Sequence, residues 1–182
     1  MEAVAAGSYL KQFDMQHVAS SPLSRAIFGA KQVKKLQNPL SNDAELVVYE
    51  GLKELDRGVW CGKTKGEIGA DLMDRFDECD ESVTPRNGES YSTVKKRVLE
   101  ARDKLLSITD LGKASTIVSH LQVTRCMLSE ALGIPNNEMS TLKVATASIT
   151  CIDYCGESGK QVVQFASFKP DAGLEKSKDM AN

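Results

Sequence analysis

Apolar residues along this chain alternate between helical spacing and short β-branched runs. The clearest helical stretch has Tyr91, Val94, Val98, Ala101 and Leu105 three and four apart, which predicts an amphipathic helix to about Ser107, capped by Ser90. A β-branched run follows, Thr116-Ile117-Val118-Ser119, which predicts a strand ending at His120. Helical spacing then resumes from about Val123 to Leu132, and Gly133-Ile134-Pro135 stops it.

The rest of the chain follows the same alternation. Glu2 to Lys11 predicts an opening helix with no strand before it, and His17 to Ser20 a short strand. Ser21-Pro22-Leu23-Ser24 turns into a helix from about Arg25 to Leu36, ended by Asn38-Pro39. Glu45 to Tyr49 reads as a second strand. Residues 63 to 80 hold one or two short helices, with Ile68, Leu72 and Phe76 at four-residue spacing. Ala147 to Tyr154 and Gln161 to Ser167 are close enough to form an antiparallel hairpin at a sheet edge. From residue 169 to 182 the chain is polar and aperiodic, which predicts a loose tail behind one domain over 1–168. Strands alternating with long helices predict an α/β three-layer sandwich with a mainly parallel sheet.

Composition narrows the function. The chain has 182 residues, 41% of them hydrophobic, enough for one cored domain. Its 23 basic and 25 acidic residues are nearly balanced and form no block, so neither nucleic acid nor an anionic membrane surface is an expected partner. No apolar run reaches the length of a membrane span, and the N-terminus lacks the pattern of a secretory signal. Five irregularly spaced cysteines fit reduced thiols, and a cytoplasmic location is expected. Cys151 and Cys155 are near each other in sequence, but only two histidines exist to complete a metal site. No metal or cofactor is expected.

In a parallel sheet the ligand sits at the C-terminal ends of the strands. Those ends hold Ser20 to Arg25, Glu54 to Arg57, and Ser119 to Gln122. Arg25 offers a planar fork of donors that suits phosphate, and His120 can exchange a hydrogen bond with a phosphoryl oxygen. Glu54 can pass a proton to a leaving alkoxide. This set points to phosphate binding and phosphoryl transfer.

Four stretches carry a family resemblance: Ser20-Ser21-Pro22-Leu23-Ser24-Arg25-Ala26, Leu52 to Gly62, Gly88-Glu89-Ser90, and Val118-Ser119-His120 through Arg125. Together, and in this order, they resemble the histidine phosphatase (phosphoglycerate mutase-like) superfamily. Their style is closest to its fructose-2,6-bisphosphatase-type and small phosphatase members. The short span from Gly62 to Gly88 favours a phosphatase over a mutase. The resemblance implies a small phosphorylated metabolite as ligand, phosphate contacts from Arg25 and His120 and proton donation by Glu54. Arg57, Glu89, Leu121 and Gln122 stand as possible substrate contacts, with plain surface roles open for Arg57 and Glu89. Leu121 departs from the glycine or glutamine common at that position, and Arg125 reads as structural.

The resemblance also exposes an absence. The family's nucleophile is a histidine in an Arg-His-Gly motif at the end of a first strand, and this sequence has neither the strand nor the motif. His17, the other histidine, is expected at the start of its strand, not at the ligand end. The expected fold therefore lacks the first strand, an interior one between the strand ending at His120 and the strand Ala147 to Tyr154. Either those neighbours pair, or the chain is marginal, or a homo-oligomer or strand-donating partner fills the gap. Two functions stay open: a phosphomonoesterase by descent, inactive as it stands and N-terminally truncated, or a non-catalytic phosphate- or protein-binding member of the fold. An unrelated α/β domain with coincidental motifs is the third alternative.

Overall fold

The computed structural model describes residues 2–37, 46–156 and 158–170. In chain order these form α1 (Glu2–Leu10), β1 (Met15–Ser20), α2 (Ser24–Leu36), β2 (Leu46–Val48), α3 (Lys65–Ile68) and α4 (Ala70–Asp77). They continue with α5 (Tyr91–Ser107), β3 (Ala114–Val118), α6 (Leu121–Leu132), β4 (Ile149–Tyr154) and β5 (Gln161–Phe168). Short 3-10 turns lie at Glu50–Leu52, Gly58–Trp60 and Asn136–Thr141.

β1, β2 and β3 make a parallel sheet in the order β2-β1-β3. β1 is its centre because both of its faces are apolar. Val18 joins Leu10, Met15, Ala30 and Val33 on the α1–α2 side, and Ala19 joins the larger cluster with Leu52, Tyr91, Val98 and Val123 on the α5–α6 side. Helices cover both faces, as a parallel sheet requires. The apolar stripe read in α5 is the stripe that is buried: Tyr91, Val94, Val98, Ala101 and Leu105. Ser90 caps that helix, its hydroxyl accepting from the Thr93 N–H.

Several boundaries differ from the sequence reading. β1 starts at Met15, since its pairing with β3 continues past a bulge between Met15 and His17, so His17 lies inside the strand. α6 begins at Leu121, because the extended backbone of His120 (φ −135°, ψ 173°) makes that residue the N-cap. The expected hairpin forms with antiparallel pairing, but as a separate two-stranded sheet and not as the edge of the parallel one. β3 and β4 lie in separate sheets, so among the described residues these neighbours do not pair. The Asn38-Pro39 stop, the Glu45 start of the second strand and the tail beyond Pro170 lie outside the described residues.

One close approach positions the site. The loop 54–58 lies against the loop 85–90: the Glu89 N–H donates to the Asp56 carbonyl at 2.9 Å, and the Val59 N–H to the Arg86 carbonyl at 3.0 Å. Gly58 has φ 49°, and a Cβ there would fall 2.3 Å from the Arg86 oxygen. Only glycine fits. A Cβ on Gly88 would fall 2.8 Å from the Asp56 oxygen.

Candidate active site

The parallel sheet brings two loop-to-helix turns side by side. Ser20 ends β1 and Val118 ends β3, and these two residues are register partners, so α2 and α6 start next to each other at the C-terminal rim. Both helices direct their N-terminal N–H groups and positive dipole ends there, an environment suited to an anion.

His120 is 9% exposed and forms no cap bond with its own helix. Its Nε2 instead lies 2.8 Å from the Ser21 Oγ, across a separation of 99 residues. Ser21 Oγ also accepts from the Leu23 N–H at 3.3 Å. Burial, with the positive charges of Arg25 and Arg97 adding to it, lowers the His120 pKa to about 4. The imidazole is therefore neutral near pH 7, with one nitrogen to donate and one to accept. Arg25, in the first turn of α2, is exposed and makes no hydrogen bond or ion pair within the described residues.

Glu54 reaches the same rim from the opposite side. Its Oε1 accepts from the Leu55 N–H at 2.9 Å and from the Gln122 N–H, in the first turn of α6, at 3.3 Å. Gln122 is buried, and its side-chain Oε1 has no hydrogen-bond partner among the described residues. Leu121 is 40% exposed beside it.

The remaining expected contacts divide. Arg57 turns away, donating to Asp77 at 2.9 Å and stacking over the Phe76 ring at 5.5 Å. Its partners lie on α4, so it supports that helix. Glu89 is half-buried and held by Arg97 through two bonds of 2.7 Å and by the Asp56 N–H at 3.0 Å. Burial pushes its carboxyl up, but the Arg97 bonds, the Asp56 N–H and the Arg97 charge outweigh that and leave it below the usual range. Arg97 also donates to the carbonyls of Gly51, Lys53 and Glu54.

Two residues of this site carry no role in the sequence reading. Ser21 was visible only as part of a turn motif, since its bond to His120 spans the sheet. Arg97 stands three residues after Val94 and four before Ala101, on the flank of the buried stripe, where a charge needs a partner. That signal, with Glu89 eight residues earlier, could have marked it.

The chain matches the family model of the histidine phosphatase superfamily (branch 1) over residues 1–166. It belongs to that superfamily. Among solved histidine phosphatase folds, it is similar to YhfR of Bacillus stearothermophilus, with a TM-score of 0.81 and 24% identity, covering 92% of this chain and 81% of that one. A mycobacterial glucosyl-3-phosphoglycerate phosphatase, Rv2419c, superposes with a TM-score of 0.77 and 23% identity over 92% of this chain and 85% of its own. That phosphatase has also been solved with inorganic phosphate and with VO3. Of curated sequences, the bifunctional protein Rv2228c of Mycobacterium tuberculosis is 29% identical over 161 residues, 87% of this chain. The chain spans 42% of the length of the curated relatives it matches. No helix among the described residues is long and apolar enough to cross a membrane.

Proposed function

We propose that this chain binds the phosphoryl group of a small phosphorylated metabolite between Arg25 and His120, as a phosphomonoesterase by descent. The observation that carries this reading is the convergence at one rim of a free guanidinium, a buried neutral imidazole held by Ser21, and two helix N-termini. Arg25 supplies paired donors and a full charge, and His120 supplies one N–H that costs no desolvation of a cation. In this reading Glu54, whose Oε1 accepts from the Gln122 N–H, is the proton donor to the leaving alkoxide. The phosphate complex of the mycobacterial relative supports the same ligand class.

The second reading, a non-catalytic phosphate binder, is favoured by one further observation. Of the chain's two histidines only His120 is at the rim, whereas the His17 Nε2 lies 2.9 Å from the Ile108 carbonyl in the body of β1. The phosphohistidine step of the family then has no nucleophile within these 182 residues. Hydrolysis by this chain would have to place a water oxygen on phosphorus, break the bond to the alkoxide, and move one proton from that water to the alkoxide. Phosphate release from glucose 6-phosphate and from phosphoserine, measured beside phosphate titration by NMR, separates the readings. We expect phosphate to perturb the His120 ring resonances, with little or no turnover. Robust turnover abolished in His120→Ala would establish the enzyme; an unmoved His120 resonance would refute both.

A further inference from the structure

The two histidines each hold one hydrogen bond through Nε2, but their partners impose different protons. His17 meets the Ile108 carbonyl at 2.9 Å, an oxygen that only accepts, so His17 carries a proton on Nε2. His120 meets the Ser21 hydroxyl at 2.8 Å, which can donate or accept. The direction of that bond follows from the other commitments of Ser21.

Every other polar group of Ser21 already has a partner. Its backbone N–H donates to the Val118 carbonyl at 3.0 Å, and its carbonyl accepts from the Ser20 hydroxyl at 2.8 Å. The Oγ accepts from the Leu23 N–H at 3.3 Å. Ser21 is wholly buried, so its hydroxyl hydrogen must find an acceptor inside the protein. Among the described residues one acceptor lies within reach, the His120 Nε2. The opposite arrangement, an Nε2–H pointing at Oγ, would bring two donors to one oxygen and leave the hydroxyl hydrogen buried without a partner. The neutral ring has one proton to place.

We infer that the Ser21 hydroxyl donates to Nε2 and fixes His120 as its Nδ1–H tautomer, a pure donor toward any ligand at the rim. Ser21 is then a positioning residue that acts through the imidazole. The His120 Nδ1 makes no hydrogen bond among the described residues and, unlike the His17 Nδ1, is not sealed off as a buried unpartnered atom. The proton sits on the open nitrogen and the lone pair on the closed one.

The placement decides what His120 can do. A nucleophile or a general base needs a lone pair directed at the reacting atom. Here the lone pair faces Ser21, so His120 neither takes a phosphoryl group nor removes a proton from water. Phosphoryl oxygens accept, and a fixed Nδ1–H suits them. Charging the ring would force a second proton against the hydroxyl, and Arg25 from α2 and Arg97 from α5 oppose it in the same sense. Glu54, on the opposite side, has its carboxylate bonded by the N–H groups of Leu55 and Gln122. The part concerning phosphate rests on the phosphate-binding reading above; the tautomer stands on the Ser21 bonds.

The test is a long-range proton–nitrogen correlation spectrum of the full 182-residue protein near neutral pH, in which the two imidazole tautomers give different patterns. We expect Nδ1–H at His120, with the Nε2 of His17 protonated in the same spectrum. Nε2–H at His120, or rapid exchange between both forms, would overturn the assignment, and this measurement needs no variant. Ser21→Ala should lose the Nδ1–H pattern and bind phosphate about fivefold more weakly, while Ser21→Thr, which keeps the hydroxyl, should restore both. A merely supporting role for Ser21 predicts lower stability with the Nδ1–H pattern intact, and that result would reject it as the positioning residue. Phosphate should shift the Nδ1 resonance of the parent protein. An Nδ1–H ring that phosphate leaves unmoved would keep the tautomer and reject the phosphate site; phosphate binding to an Nε2–H ring would do the reverse.

Discussion

The two sides of the candidate site are built in opposite ways. On the Glu54 side almost every polar group has a partner: Arg97 serves Glu89 and three carbonyls, and Glu89 also receives the Asp56 N–H. On the Arg25 side the guanidinium is exposed and, among the described residues, unpaired, and the His120 imidazole bonds Ser21 alone. The contrast separates framework from contact surface. A group already committed to carbonyls and carboxylates holds a loop still; a group with spare donors is available to a ligand.

The largest effect should come from the framework. Arg97→Met strips the countercharge from a carboxylate only 21% exposed and releases three carbonyls, and we expect a loss of about 3 kcal/mol in urea unfolding. A loss under about 1 kcal/mol would remove Arg97 as the framework's centre. By contrast, Arg25→Ala should weaken phosphate binding about tenfold or more while unfolding stays within about 0.5 kcal/mol of the parent. Equal damage to stability and affinity would erase the distinction between the two sides.

The pH dependence sharpens the same comparison. His120 is held well below its ordinary value of 6.5, so the unfolded chain takes up that proton first. Its contribution to stability is complete above about pH 6.5 and is lost as the pH falls toward about 4. His120→Asn should flatten this part of the stability profile, and bound phosphate should raise the imidazole midpoint in an NMR titration. A midpoint near 6.5 in the free protein would contradict the buried, charge-flanked setting. The smallest effect belongs to Arg57→Ala, which loses an exposed ion pair and a ring contact: about 0.5–1 kcal/mol, with phosphate affinity unchanged.

Much of the fold was legible because its elements are locally consistent. The α5 stripe, its Ser90 cap and the Gly133 stop were each readable from neighbouring residues, and the structure keeps all three. His120, Arg25 and Glu54 were placed by strand-end position, which the parallel sheet preserves. Pairings between distant residues were not legible. Ser21 with His120 depends on two strands lying in register, and Arg57 was drawn to Asp77 and Phe76 by a helix whose docking no local pattern specifies. The separate hairpin was missed because hydrophobic spacing identifies strands, not the edges on which they pair.

The Gly58–Gly88 contact fixes more than Glu54. Residues 61 to 84, with α3 and α4, form an excursion whose two ends meet at this seam, where Val59 is bonded to Arg86 and Glu89 to Asp56. Its far side is anchored, since Phe76, Cys79 and Val83 are buried in the main core with Leu52 and Tyr91. Its first part, residues 61 to 67, is exposed throughout. Doubling the length of a closed loop costs only about 0.6 kcal/mol. Descendants of this chain can lengthen that exposed part, and so reshape what is admitted above the rim, without disturbing the glutamate beneath it.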